Sequence, residues 1–364
     1  MLATILLGLF WGVVALVAAI SVLPFSKIPH GAIRGMAFPR EQLFVLTVAL
    51  AAVALVFLEP DHRNPALAIL AVIAAIHTGY ILKFTPLWPR QSVDATEAQA
   101  ADVENRVTIL ASNVKQSNRQ YQRLIDLIRT EDPDIAGALE VDPDWVDALY
   151  DALKDQYPHW VKVPKDNSYG VVMMSKMEPS ETQVRDLLVD DVPSIRTKVA
   201  MPSGRMWRLH IVHPEPPVPY HDTKGRDGEI ALVGIEASKD DLPAIVTGDL
   251  NDVAWSTTTR RFQRLSGLLD PRVGRGFYNT FHAGIAVMRW PLDHLFHDAE
   301  FRLIRMSRLP NIGSDHFPIL FSLALTGEPQ SNSTPEQSDA EERAEVREMA
   351  AEEREKDREA IGTD

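Results

Sequence analysis

The feature that most constrains this chain is its apolar N-terminus. Leu2–Leu23 carries no charged residue over 22 positions, Gln42–Leu58 none over 17 and Pro65–Leu82 none over 18, with His77 interrupting the last. A hydrocarbon core about 30 Å thick needs roughly 20 helical residues, so the first stretch is long enough to span it and the other two are near the lower limit. The alternative is a cleaved signal peptide followed by buried core helices. Against it, the first stretch lacks a basic leader, is long for a signal sequence, and is followed closely by two more apolar runs. The sequence therefore predicts three transmembrane helices in residues 1–85, at about 2–23, 42–58 and 65–82, with a lipid bilayer as their partner.

Loop charge gives an expected orientation. Lys27, Arg34 and Arg40 lie between the first two spans, Arg63 alone between the second and third, and Lys83 and Arg90 after the third. The positive-inside rule puts the first loop and everything after the third span in the cytoplasm, with the N-terminus outside. There is no cysteine, so neither a disulfide nor a thiolate metal site is available. The formal charge of −13 is unevenly spread. Residues 104–326 hold 26 Lys/Arg and 31 Asp/Glu, a net of −5, whereas residues 327–364 hold 5 and 13, a net of −8. A mildly acidic central region argues against nonspecific duplex binding, which rests on many basic phosphate contacts.

Residues 86–103 are polar and read as a linker. From Arg106 onward, short apolar runs alternate with helical patterns. Val107–Leu110, Ile135–Leu139, Gly170–Met174, Trp207–Val212, Ala244–Thr247 and His316–Leu325 are strand candidates. Tyr121, Leu124, Ile125 and Ile128 share a helical face that ends before Asp132-Pro133, and Ser256-Thr257 can cap a helix reaching about Ser266. This pattern over residues 104–326 implies an α/β sandwich with its site at strand ends. The tail, 327–364, has almost no aliphatic residues. It reads as disordered or as a single solvated helix from Ala340, open to a protein partner.

Three acidic signatures carry the chemistry: Gly248-Asp249-Leu250-Asn251, Leu292-Asp293-His294 and Gly313-Ser314-Asp315-His316. Each sits where an apolar run stops. Together with Ser112-Asn113-Val114, Glu140 at the end of the second strand, and His213 in Ile211-Val212-His213-Pro214, they resemble the endonuclease/exonuclease/phosphatase (DNase I-like) superfamily across residues 106–323. That superfamily includes DNase I-like nucleases, abasic-site endonucleases, inositol polyphosphate phosphatases and neutral sphingomyelinases. The resemblance implies a four-layer α/β sandwich, two packed mixed sheets flanked by helices. Here it would follow transmembrane helices, as in a membrane-anchored bacterial-type member in the inner membrane. It also implies a metal site at Glu140 and Asn113, phosphate contact by His213, and a terminal Asp315-His316 motif with His316 oriented by Asp293.

Residue chemistry fits these implied roles. Mg²⁺, for which Mn²⁺ can substitute, prefers oxygen ligands, which Glu140, Asp315 and Asn113 offer. Hydrolysis needs an activated water, and His316 can take its proton if Asp293 holds the other ring nitrogen. Asp249 and Asn251, two residues apart, share a strand face, so Asp249 can address the water and Asn251 a phosphate oxygen. A protonated His213 would neutralise transition-state charge. Tyr169 is a further substrate-binding candidate. Arg260 and Arg264, in the cluster running to Arg275, would either rim the site or form a solvated helix face with Phe262 and Leu265 packed inward. The expected function is metal-dependent phosphoester hydrolysis at a membrane. The alternatives are a DNA or RNA nuclease of the same superfamily, and a non-catalytic membrane scaffold.

Overall fold

The computed structural model describes every residue except Lys27, Asp357, Thr363 and Asp364, so the Lys27 charge used for orientation lies outside the described residues. Helix α1 (Leu2–Val22) comes first. A connecting segment containing the short α2 (Gly31–Gly35) leads to α3 (Arg40–Phe57) and α4 (Pro60–Ile81). α1, α3 and α4 are each long and apolar enough to cross a membrane. Phe10, Val14, Ala54, Ala66 and Leu70 close the seam between them. Leu6, Leu9, Leu16, Val45, Val56 and Phe57 are exposed. Side chains of that kind cost free energy in water and none in a hydrocarbon solvent.

The rest of the chain adds α5 (Glu97–Ala101), β1 (Arg106–Asn113), α6 (Tyr121–Glu131), β2 (Ile135–Leu139), α7 (Pro143–Leu153), β3 (His159–Val163), β4 (Val171–Ser175), β5 (Pro179–Asp186), β6 (Pro193–Ala200), β7 (Met206–Val212), α8 (Lys224–Lys239), β8 (Ala244–Asp249), α9 (Thr257–Ser266), β9 (Asp293–His297), β10 (Phe301–Arg308), β11 (Ile319–Leu325) and α10 (Ala340–Arg354). Helix limits follow local chemistry. Asp132, left-handed before Pro133, stops α6. Asp142 accepts from the Trp145 N–H ahead of Pro143 to start α7. Ser256 caps α9, which ends on left-handed Gly267.

Two mixed sheets form, in the orders β10-β11-β1-β2-β4-β3 and β5-β6-β7-β8-β9. Their facing sides supply the main core, including Ile109, Leu139, Met173, Leu209, Ile211, Ile245, Leu295 and Phe321. α6 and α7 cover the outside of the first sheet through Leu124, Ile128, Trp145 and Leu149. α8 and α9 cover the second through Ile230, Val233 and Phe262. The result is the expected helix–sheet–sheet–helix sandwich.

Strand alternation places the chemistry. In β1, Val107, Ile109 and Ala111 face the inter-sheet core, so Asn113 does too. The same parity carries Leu209 and Ile211 on to His213, Ile245 on to Asp249, and Leu295 back to Asp293. Because β8 and β9 are antiparallel with Asp249 opposite Asp293, the two carboxylates emerge at one end of the sheet.

Two expected separations are absent. Residues 86–103 are not a free linker: Ala95 N donates to Leu303 O, Leu303 N donates to Val93 O, and Ser92 is buried against His297. The segments that flank the long apolar helices also dock on the sandwich. Phe84, Ala37, Trp255, Val273 and Leu292 make one apolar cluster, and the Trp255 indole N–H donates to Ala37 O at 2.8 Å.

The tail forms a helix from Ala340, as one of the two readings expected, but α10 is not free in solvent: one face docks on the sandwich while the rest stays exposed. Val346 is fully buried against Ala231 and Leu265, and Glu342 accepts from both Arg261 and Arg264. Charge pairing with α9 and one apolar contact accomplish what the tail's composition alone would not. Val346→Asp places an uncompensated carboxylate there and should weaken docking of α10 by roughly 2–4 kcal/mol. Hydrogen exchange across 340–354 should then rise sharply while β1 and β8 stay protected. Unchanged protection would mean that Val346 does not hold the helix.

Candidate active site

Gly248 makes the site possible. Its φ is +139°, and a Cβ there would lie 2.0 Å from the Val212 carbonyl oxygen, so only glycine lets β8 run this close to β7. Asp249 follows, fully buried. Its Oδ1 accepts from Asn251 N at 2.8 Å and its Oδ2 from Asn113 Nδ2 at 3.0 Å. Asn251 does not continue the strand face as the spacing predicted. The strand ends at Asp249, and Asn251 turns left-handed at φ +50°. Its amide donates to Pro214 O at 3.0 Å, and Arg226 fixes its carbonyl.

The last motif closes onto the first strand. Ser314 Oγ donates to Asn113 O at 2.8 Å and accepts from His316 N at 3.0 Å. The buried His316 ring then stands between two carboxylates. Nδ1 is 2.8 Å from Asp293 Oδ2 and Nε2 is 3.5 Å from Asp249 Oδ2. The Phe281 ring packs on it with centroids 4.9 Å apart.

Glu140 caps β2 at φ +60° and accepts from Asn113 Nδ2 at 2.7 Å and Gln116 N at 3.3 Å. The Asn113 amide thus links Glu140 to Asp249, while its oxygen accepts from Lys115 N. Asp315 pairs with Lys115 Nζ at 3.0 Å. His213 is buried with its Nδ1 unpartnered, beside the Tyr169 ring at 5.4 Å. These groups line a cavity of about 140 Å³ together with Ser168, Pro216, Asn251, Phe281 and Gly362.

The site is electrostatically strained. Burial lifts the Glu140 carboxyl to about 7 against its bond from Asn113, with Asp249 and Asp315 adding repulsion. Burial likewise raises Asp249. Burial works against a charged His316, but Asp293 and Asp249 overcome it and lift the ring to about 10. His213 moves the other way, to about 4, because burial outweighs the pull of Asp249. At that value the ring is neutral near pH 7, so the protonated form on which the charge-neutralising role depends is not the one favoured here. Asp315 stays below its ordinary value because His316 and Lys115 outweigh burial.

Most of the sequence-predicted residues converge here: Asn113, Glu140, Tyr169, His213, Asp249, Asn251, Asp293, Asp315 and His316. Arg260 and Arg264 do not. Arg264 pairs with Glu342 of α10, and the Arg260 guanidinium carbon lies 5.4 Å from the Tyr80 ring centre of α4. Both sit on α9, whose Phe262 and Leu265 turn inward as the helix-face alternative had it, but α10 covers part of that face, so it is not simply solvated. Sequence reasoning missed Lys115, Phe281, Pro216 and Gly362. Lys115 lies two residues past Asn113 and was within reach of that motif. The tail residue Gly362 carried no signal. It arrives because Arg358 pairs with Glu215 and the Tyr169 hydroxyl donates to Ile361 O.

The Endonuclease/Exonuclease/phosphatase family model matches residues 105–316. The chain belongs to that family. It is accordingly a hydrolase acting on phosphoester bonds. No curated protein matches it in sequence. Among solved structures, the human Nocturnin catalytic domain with bound sulfate is similar at 16% identity and TM-score 0.51, covering 61% of this chain and 94% of that one. A Bacteroides thetaiotaomicron mannosyl-6-phosphatase is similar at 19% identity and TM-score 0.50, covering 60% and 99%. D. rerio TDP2 complexed with a single-strand DNA product gives 15% identity and TM-score 0.50, covering 60% and 98%. At these identities the likeness concerns the fold.

The family is generally dependent on a divalent metal, and the residues present fit one. Asp249, Asp293 and His316 bring donor atoms within 4.8 Å of one another. The His316 ring nitrogens already face the two aspartates, however, which leaves the oxygen-rich Glu140–Asp315 side as the better holder of a hard cation. A carboxyl that burial keeps half-protonated at neutrality is one that a cation would stabilise in its charged form.

The pH dependence follows. Glu140 and His316 both bind protons more tightly folded than unfolded. The Glu140 contribution is complete below its ordinary 4.5 and fades through about 7. That of His316 is complete below 6.5 and fades through about 10. In chelator, thermal stability should therefore fall as pH rises from neutrality toward about 10. Added Mg²⁺ or Mn²⁺ should raise the melting temperature little at about pH 5.5 and clearly at about pH 8, since the cation competes with the proton on Glu140. Glu140→Gln should flatten that difference. An equal metal increment at both values would remove Glu140 from the metal site.

Proposed function

We propose that this chain is a membrane-anchored, Mg²⁺-dependent phosphoesterase that cleaves a small phosphoester or lipid-headgroup substrate. The observation that carries the reading is the buried His316 ring between Asp293 and Asp249, facing a cavity that also holds Glu140 and the unpartnered Nδ1 of His213. Among folded-protein histidines, a ring clamped by two buried carboxylates is expensive to build and is common where protons move.

A phosphoryl group entering the cavity would meet Asn251 and His213, and Nδ1 of His213 would gain the partner it lacks. Asp249 takes the place beside the attacking water. The proton released by water passes to Asp249, whose Oδ2 faces Nε2 of His316. Asp293 keeps His316 oriented through Nδ1, so Nε2 of a ring lifted to about 10, already protonated near neutrality, faces Asp249 and stabilises its charge; the ring does not itself take the proton from water, as the sequence suggested it could. The negative charge that builds on the phosphoryl oxygens falls opposite Lys115 and Asn251. A divalent cation held by Glu140 and Asp315 would supply Lewis-acid stabilisation of that charge.

Cavity size supports a compact substrate. About 140 Å³ bounded by Phe281, Pro216 and Gly362 admits a phosphoryl group and little more of a polymer. The main basic cluster, the feature that favoured a nuclease, is occupied by α10 through Arg261 and Arg264. Five basic residues on one side of the spans and Arg63 alone on the other support a cytoplasmic domain at a bacterial inner membrane. A reporter fused after residue 364 tests that orientation.

The full chain in detergent or nanodiscs should hydrolyse bis-p-nitrophenyl phosphate or p-nitrophenyl phosphate with Mg²⁺ or Mn²⁺, and EDTA should abolish turnover. His316→Ala and Asp249→Asn should each lower kcat by about 10²–10⁴-fold while the fold persists. A side-by-side panel of sugar phosphates, phospholipids, single-stranded DNA and RNA decides the substrate class. Preference for nucleic acid would favour the nuclease alternative. Inactivity on every substrate with metal bound would favour the scaffold.

A further inference from the structure

A second cavity lies apart from the catalytic one. A cleft of about 1180 Å³ opens between α3 and the segment 275–289, with the end of β10 as its floor. One wall is the outward face of α3, where Gln42, Val45, Leu46 and Ala49 recur at helical spacing. Val45 is 67% exposed and Leu46 40%. The other wall ends in an apolar loop tip, with Ile285, Val287 and Met288 all exposed. That tip is tied to the helix, since Gln42 Nε2 donates to Val287 O at 3.1 Å and Trp290 Nε1 donates to Gln42 Oε1 at 3.3 Å.

Two arginines close the polar end. The Arg289 and Arg308 guanidinium carbons lie 5.1 and 4.5 Å from the centre of the Phe317 ring. They donate to backbone carbonyls, those of His282 and Ala283 for Arg289 and that of Asn279 for Arg308. Among the described residues neither forms a salt bridge, whereas Arg275 nearby pairs with Asp94. Burial and the charge of Arg289 both depress the proton affinity of Arg308, the behaviour of like charges held together without an anion. Glu41, the one acid on the wall, accepts from Asn279 Nδ2 at 2.8 Å.

We propose that this cleft is a binding site for one anionic phospholipid, its phosphate on Arg289 and Arg308 and an acyl chain along Val45, Leu46 and Ala49. A free phosphate would satisfy the arginines but leave the apolar walls bare, and the cleft is far larger than a headgroup requires. The Arg289 pair and the apolar tip lie against the first turns of α3, where a bilayer places its phosphates above its acyl chains. The same loop reaches the catalytic site, since Ala283 N donates to Asp315 O at 2.6 Å and Phe281 covers His316. The lipid site therefore shares a wall with the chemistry without being part of it.

This inference rests on reading α1, α3 and α4 as membrane spans. The test uses the full chain extracted from vesicles of phosphatidylcholine and phosphatidylglycerol, followed by native mass spectrometry. One phosphatidylglycerol should remain bound per chain, and phosphatidylcholine should not replace it. Arg289→Gln with Arg308→Gln should reduce retention at least about tenfold, and Ala49→Trp should do so without altering charge. Melting temperature and p-nitrophenyl phosphate turnover check that each variant is folded. Equal retention by the arginine variant, equal binding of the two lipids, or full competition by glycerophosphoglycerol would overturn the site. Release of the wild-type chain from membranes by alkaline carbonate would instead overturn the membrane reading.

Discussion

Everything at the catalytic end depends on burying one imidazole between two carboxylates. Charges of this kind are costly to remove from water unless each meets a partner. Here Asp293 meets Nδ1 of His316 directly, Asp249 faces the other nitrogen, and Asn113 binds Asp249 and Glu140 through one amide group. None of this can form until the sheets pack face to face, because the residues come from β1, β8, β9 and the turn after β10. The sandwich is therefore a device for bringing the ends of separate strands to one place. Its apolar core supplies the free energy that the buried charges consume.

Left-handed backbone marks the same place. Lys115, Glu140 and Asn251 all have positive φ without being glycine, and Gly248 is required where β8 meets β7. Conformations of that sort persist only where surrounding structure over-determines them. In this chain the surroundings are the hydrogen bonds that the site's own side chains make: Asn113 to Lys115 N, Glu140 to Gln116 N, and Asp249 to Asn251 N.

What was legible in the sequence was whatever a short window contains. β2 is Ile135–Leu139 as its apolar run predicted, and α9 runs from its Ser256 cap to Ser266. Strand parity carried His213 and Asp249 inward because the alternation before them was regular. The i, i+2 argument for Asn251 failed where that alternation stopped, one residue beyond the strand. Strands β3, β5, β6, β9 and β10 were not among the candidates: β3 and β5 are partly exposed, and charged or histidine residues interrupt the apolar runs of β6, β9 and β10. Contacts between distant segments were invisible for a different reason. Nothing in the sequence near Val346 announces Leu265, and nothing near Ser92 announces His297.

The tail shows how far such contacts alter a functional reading. Counted as composition, residues 327–364 are a net −8 with too few aliphatics to fold, and the Arg260–Arg275 cluster is a basic surface awaiting an anion. Brought together, they cancel. Glu342 engages Arg261 and Arg264, Glu345 engages Arg261, and Glu353 and Glu215 engage Arg358, which brings Ile361 to Tyr169. Arg261 and Arg264 of α9 therefore face the chain's own carboxylates. Arg289 and Arg308, on the side facing α3, form no salt bridge among the described residues. Contacts between distant segments, not the count of basic residues along the sequence, thus decide how much positive surface α9 offers to a substrate.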